Sequence, residues 1–297
     1  MKEKTYKKGL WFAACSASGW GISGVCSQYL FAQYGMDSSW LTALRMIFSG
    51  IILLLIAKIQ KSDLTAVFHH KADRRQLIIF AVFGLLLCQF AFLSAIRYSN
   101  SGTATVLQSL NVILMAMVVA WRTRTKLSGT QLISIVLAVF GTYCIATNGN
   151  PSEMVLSVPG LSWGLLSAVG VVAYVLLSQS LIKTWGNIVI IGWGMLIGGI
   201  LLGILVQAWH VPKNLDAFAL LVIVCGIILI GTVVGFSLFL EGARLIGPMK
   251  ATPIGCLEPV SATVLSVCLL GTSFGAVEIL GFCAIMATVL LSIKKPS

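Results

Sequence analysis

Glu258 is the residue with the most chemical potential in this chain, because it is a carboxylate set inside a long apolar run. Pro259 follows it directly, and Pro253 lies about a turn and a half upstream with Gly255 between them. A proline has no amide hydrogen, so a helix through this stretch leaves the carbonyls of Met249 and Gly255 without their usual donors. Such backbone is tolerated in a membrane only where it is buried in protein or lines a polar cavity. A carboxylate beside it could hold a substrate amine or carry a coupling proton. The alternative is a structural acid that hydrogen-bonds across helices to hold packing.

Other polar and aromatic side chains fall in comparable positions of neighbouring runs. Asn111 and, one turn earlier, Gln108 supply amides; Gln89 and Phe92 lie in one further run, and Phe236 and Phe239 in another. Trp20 and Ser23 belong to the first run and Tyr174 to the sixth. Together they would make a central cavity with a few polar groups and aromatic walls, which is the composition of a small-molecule site. Taken singly, each aromatic is as readily explained by packing. Arg45 lies roughly 9 Å into its helix by the rise per residue. Its stem could snorkel toward the headgroups with Glu278 as partner, as a structural pair or as part of a gate. Glu241 and Arg244 are spaced for an ion pair within one helix.

Enzymatic chemistry finds little support in these residues. The cysteines Cys15, Cys26, Cys88, Cys144, Cys225, Cys256, Cys268 and Cys283 all fall in apolar runs at spacings too long for a zinc site or a redox pair. His69 and His70 lie in a polar stretch and His210 at the end of a run. A single carboxylate at membrane depth, with no second carboxylate and no nucleophile–base pair, argues against an enzyme and against a resident metal or cofactor. Basic residues give a formal charge of +11, yet they sit between apolar runs without the interleaved aromatics of a nucleic-acid surface.

These groups must be positioned by helices in lipid. Of 297 residues 58% are hydrophobic and 10% charged, where a soluble domain carries about 25% charged. Crossing about 30 Å of hydrocarbon takes about 20 apolar residues. With that ruler the first half reads as spans Gly9 to Phe31, Ser39 to Ala57, Gln76 to Ile96, Gly102 to Trp121 and Ser128 to Thr147. The second half reads as Gly160 to Ile182, Ile188 to Trp209, Ala217 to Leu240, Lys250 to Leu270 and Phe274 to Ile293. The expected fold is an all-α integral membrane protein of about ten transmembrane helices. Lys and Arg crowd one set of loops and both ends of the chain, whereas the opposite set holds only Arg97 and Lys213. By the excess of positive charge in cytoplasmic loops, both termini are expected to be cytoplasmic.

The halves resemble each other. Ser16-Ala17-Ser18-Gly19 matches Ser167-Ala168-Val169-Gly170, and Ser27-Gln28 matches Ser178-Gln179. Ala95-Ile96-Arg97 through Ala104-Thr105 matches Gly242-Ala243-Arg244 through Ala251-Thr252, which pairs Asn111 with Glu258. An odd number of spans in each half means that the second copy enters the membrane from the opposite side. The expected organisation is a first repeat over residues 1–148, an external linker over 149–158 and a second, inverted repeat over 159–297.

Leu257-Glu258-Pro259-Val260, Leu270-Gly271 and Gly281, set in this plan, resemble the EamA branch of the drug/metabolite transporter superfamily. The resemblance implies a secondary transporter of the bacterial cytoplasmic membrane that moves an amino acid or related amine by alternating access, commonly as an exporter, with no cofactor beyond possible proton coupling. It implies a cavity lined by helices 1, 3, 4, 6, 8 and 9, with a small-molecule substrate and membrane lipids as partners. An importer of a nutrient amine and a membrane scaffold are the competing readings.

Overall fold

The computed structural model describes residues 2–124, 126, 128–150, 154–212, 215–246, 254–255 and 257–293, and among them every regular element is helical. The principal helices are α1 (Lys2–Tyr34), α2 (Ser38–Ile59), α3 (Lys71–Tyr98), α4 (Ser101–Thr123) and α5 (Gly129–Thr147), followed by α6 (Val158–Trp185), α7 (Asn187–Leu205), α8 (Ala217–Ile246), α9 (Leu257–Leu270) and α10 (Ala276–Ile293). Seven of these, α2 through α8, are long and apolar enough to cross a membrane; the described parts of α9 and α10 are shorter but also apolar. Large apolar side chains such as Phe83, Val136, Val139 and Leu205 point outward and are exposed, a surface suited to lipid rather than water.

The apolar runs of the sequence fall on these helices, and the clearest difference among the described residues is at the end of the seventh run. α7 stops at Leu205 rather than Trp209, because the chain turns there and Gln207 adopts a left-handed φ of 53°. The described part of the ninth helix runs from Leu257, and the expected start at Lys250 and Pro253 lie outside the described residues. Pro259 therefore does not interrupt a described helix. It sits in the first turn of α9, where an amide hydrogen would have no intrahelical partner in any case.

Helix ends are set by local side-chain chemistry. Asp37 caps α2 by accepting from the Ser39 and Trp40 amides, Asn100 caps α4 through Thr103, and Asp216 caps α8 through Ala219. Ser128 and Gln131 form a reciprocal capping box at the start of α5, and Gly271, at φ +65°, follows the end of α9. Asp37 also pairs with Arg97 at the end of α3. Burial pushes the Asp37 carboxyl upward, but hydrogen bonds from Ser39, Arg97 and the Trp40 amide outweigh it and hold the group below the usual carboxylate range. A carboxyl depressed in this way stabilises the fold above its ordinary pKa and loses that contribution as pH falls through the lower folded-state value. Because the pair is exposed, Asp37→Asn is expected to cost no more than about 1 kcal/mol at neutral pH. Thermal unfolding in detergent should show the gap between variant and parent closing as pH falls below the usual carboxylate range.

Packing between helices is close and follows a regular scheme. α2 lies along α7 and α5 along α10; α1 packs on α8 and α9, while α6 packs on α3 and α4. Glycines permit the tightest crossings. At the α5–α10 contact, a β-carbon on Gly141 would stand 2.7 Å from the Gly281 carbonyl oxygen, and one on Gly281 would stand 2.7 Å from the Gly141 oxygen. Two backbones in direct contact are the usual way for membrane helices to gain dispersion attraction, since lipid supplies no hydrophobic drive for their association.

Candidate functional site

Between the helices lies a partly open cavity of about 220 Å³. At about 30 Å³ per water molecule that is space for a small metabolite, well below the room a drug-sized ligand needs. Its wall comes from α1 (Trp20), α2 (Arg45), α3 (Leu85, Cys88, Gln89, Phe92), α4 (Gln108, Asn111), α6 (Val171, Tyr174), α8 (Phe236) and α9 (Glu258). One carboxylate, one guanidinium and three amides thus face the same space as four aromatic rings.

The helices that deliver these groups are irregular where they do so. α4 tightens at Ser109–Leu110: Leu110 donates to Leu107, and Ile113 to Leu110, in the three-residue pattern, although no proline is present. The Asn111 side chain donates to the Gln108 carbonyl at 2.6 Å and so uses an acceptor at the break. In α9, Glu258 occupies the first turn, and its carbonyl accepts from Ser261 Oγ at 2.9 Å. α3 and α8 each contain a wide, π-type stretch, Phe80–Leu86 and Val222–Val234. Stretches of this kind shift side-chain register and recur at functional sites.

Aromatic packing fixes the walls. The Trp20 ring meets Phe236 edge-on at 5.5 Å between centroids, and Tyr174 lies tilted against Phe80 at 5.8 Å. Gln108 Nε2 reaches Cys88 Sγ at 3.9 Å across the α3–α4 side.

The sequence-derived set divides cleanly on this geometry. Glu258, Asn111, Gln108, Gln89, Phe92, Trp20, Tyr174 and Phe236 all line the cavity. Phe239 does not; its ring packs behind Trp20 at 5.4 Å, supporting that wall. Ser23 also lies outside, buried where α1 crosses α8 against Gly231, because the glycine lets the helices approach too closely to leave space beside it. The expected Arg45–Glu278 partnership is wrong. Arg45 is only 6% exposed and turns inward, with Nε donating to Thr232 Oγ1 at 3.0 Å, while Glu278 at the start of α10 accepts from Thr103 Oγ1 at 3.1 Å. The physical reason is the α2–α7 contact, which occupies the Ile47 and Gly50 side of α2 and leaves Arg45 facing α8. Glu241 and Arg244 form the expected exposed ion pair. Cys88, Leu85 and Val171 were not singled out by sequence, since nothing distinguishes them from ordinary apolar core.

The model of the EamA-like transporter family matches residues 7–147 and again residues 158–294. The chain belongs to the EamA-like transporter family. An inner membrane transporter of Salmonella typhimurium, YicL, is 35% identical over 96% of this chain and 95% of its own length. A transporter of Clostridium kluyveri is 23% identical over 93% of this chain and 89% of its own. A solved crystal structure shares the fold at a TM-score of 0.60 and 15% identity, covering 94% of this chain and 96% of the other. As an EamA-family protein with apolar, membrane-length helices, the chain is an integral membrane protein.

Proposed function

We propose that this EamA-family protein is a secondary carrier that moves an amino acid or related amine across the bacterial cytoplasmic membrane by alternating access, with both termini cytoplasmic. The observation that carries this reading is the cavity in which Glu258, Asn111, Gln108 and Gln89 face aromatic walls. A polar, charged chamber of metabolite size in a membrane bundle has little use except to hold a solute.

Several observations support ten spanning helices in two inverted repeats. The family model matches twice, once in each half, around the expected linker. The packing scheme maps onto itself when the first five helices are exchanged for the last five: α2–α7 and α5–α10 are self-paired, and α1 on α8 and α9 becomes α6 on α3 and α4. Asn111 and Glu258, which the repeat aligns, both line the cavity, Asn111 just after the break in α4 and Glu258 in the first turn of α9. Discontinuous helices at mid-depth are how many carriers expose backbone and side chains to a substrate.

The end of the bundle carrying Asp37 is the closed one in this reading. There, Gln28 on α1 donates to Thr272 Oγ1 beyond α9 at 2.9 Å and accepts from the Ser101 amide and hydroxyl of α4 at 2.9 and 2.8 Å. On α4, every residue from Ser101 to Leu107 is buried, whereas Gln108, Ser109 and Asn111 are half-exposed. Gln28→Ala removes three hydrogen bonds worth about 1 kcal/mol each. In a variant retaining only Cys88, a membrane-impermeant thiol reagent applied from the Asp37 side is expected to label several-fold faster once Gln28 is replaced. An unchanged rate would show that this latch does not close the cavity.

The function itself is tested with purified protein in liposomes, against labelled amino acids and their amines. Net flux of at least one is expected; none across the whole panel would sink the carrier reading.

A further inference from the structure

Arg45 is a membrane-embedded cation with unused donors. A guanidinium has five N–H groups, and among the described residues Arg45 commits one of them, Nε, to Thr232. Thr232 is itself anchored, donating its hydroxyl to the Ile227 carbonyl at 3.0 Å within the π-type stretch of α8. The head group is thus held in a fixed orientation on the cavity wall. Among the described residues it forms no ion pair, although Glu258 lines the same 220 Å³ space.

This arrangement is poor as a structural device. A buried ion pair offsets its desolvation only when its geometry is tight and its remaining donors are satisfied. Here the two charges line one chamber without closing on each other, and among the described residues the remaining guanidinium donors form no hydrogen bond or ion pair. Charged groups within a membrane typically face a water-filled cavity and mark a substrate path. A planar fork suits a carboxylate held through two parallel hydrogen bonds.

We propose that Arg45 is the specificity-determining residue that binds the carboxylate of the cargo, with Glu258 holding its ammonium group and the aromatic wall enclosing an apolar body. The proposal rests on the carrier reading above and deepens it: the cargo must be a zwitterion with both charges on one small frame, and an amine lacking the carboxylate is disfavoured. The Arg45–Thr232 bond serves to aim the fork.

The test uses apolar amino acids, each matched with its decarboxylated amine and its deaminated acid, in liposomes containing the full-length protein. For the parent, the amino acid is expected to move and the two truncated compounds to move at least about tenfold more slowly, the loss of one charge-assisted contact. Arg45→Gln is expected to cut amino acid flux by about tenfold or more while the matched amine is unaffected or faster, and Arg45→Lys to retain part of the preference. Thr232→Val removes the aiming bond without removing the charge, and should weaken the preference less than Arg45→Gln does. A parent that moves amines as well as amino acids, or an Arg45→Gln variant, monodisperse on size exclusion, that loses both in equal proportion, overturns the assignment and leaves the carrier reading standing. A parent that moves none of the compounds overturns both.

Discussion

Glu258→Gln is expected to leave the protein folded and to lower amino acid flux in liposomes by about 10- to 100-fold. Glutamine keeps the shape of the side chain and some of its hydrogen bonding, but it cannot oppose a cation. A hydrogen bond to a charged partner contributes about 1.5–3 kcal/mol, which corresponds to that range of affinity. The substitution should cost little stability. Glu258 lies in the first turn of α9, where a negative charge gains only about 0.3–1 kcal/mol from the helix dipole. If the residue were a structural acid holding helices together, the opposite pattern would appear: a lower melting temperature and normal flux in the molecules that remain folded. Measuring both quantities on one preparation separates the two. A carboxylate that cycles a proton adds a further signature, since the glutamine variant should then lose any response of flux to an imposed pH gradient.

Gly141→Leu is expected to produce the largest loss of stability of any single substitution considered. Its β-carbon would meet the Gly281 carbonyl oxygen and Ile285 Cγ1, each at 2.7 Å, before the rest of the leucine is added. Backbone oxygen cannot rotate aside, so α5 and α10 must separate along their shared face. Overpacking of this sort costs about 1–3 kcal/mol, and sometimes more. Thermal unfolding in detergent should fall by several degrees or more, and expression of intact protein should drop with it. Gly281→Leu, which attacks the same crossing from the other helix, should behave alike. A double variant should cost less than the sum, because the first substitution already opens the contact the second would strain. An unchanged melting temperature in both single variants would mean that α5 and α10 do not pack as described.

Much of this architecture was legible in residue type and spacing, and the reason is lipid. Hydrocarbon imposes one length and one polarity on every spanning segment, so runs of apolar residues translate almost directly into α2, α3, α4, α5 and α6. The likeness of the two halves was legible because the matched residues keep their spacing, and the pair it aligns, Asn111 and Glu258, lines one cavity. Rotation about a helix axis was far less legible. Ser23 and Trp20 are one turn apart on α1, yet one packs against Gly231 and the other lines the cavity. By depth alone Arg45 fits a snorkelling anchor, a structural pair or part of a gate, because a long stem can reach the headgroups from there; the α2–α7 contact leaves it turned inward to Thr232. The break in α4 has no proline to announce it. It depends on hydrogen bonds between Leu107, Leu110 and Ile113 and on the Asn111 side chain, which are consequences of packing rather than of composition. Cys88 stood only among the cysteines of the apolar runs for the same reason: a small thiol there carries no sign of which way it faces.

The central claim is that one cavity, reached alternately from either side, carries a small zwitterion through the membrane. Counterflow tests it most directly. Liposomes holding the purified protein are loaded with an unlabelled amino acid at high concentration and diluted into a trace of the same compound in labelled form. A carrier with a single exchanging site predicts transient accumulation of label above its equilibrium level, followed by decay, and predicts that Glu258→Gln abolishes the overshoot. A monotonic rise to equilibrium, or no entry of label for any amino acid, would contradict the account.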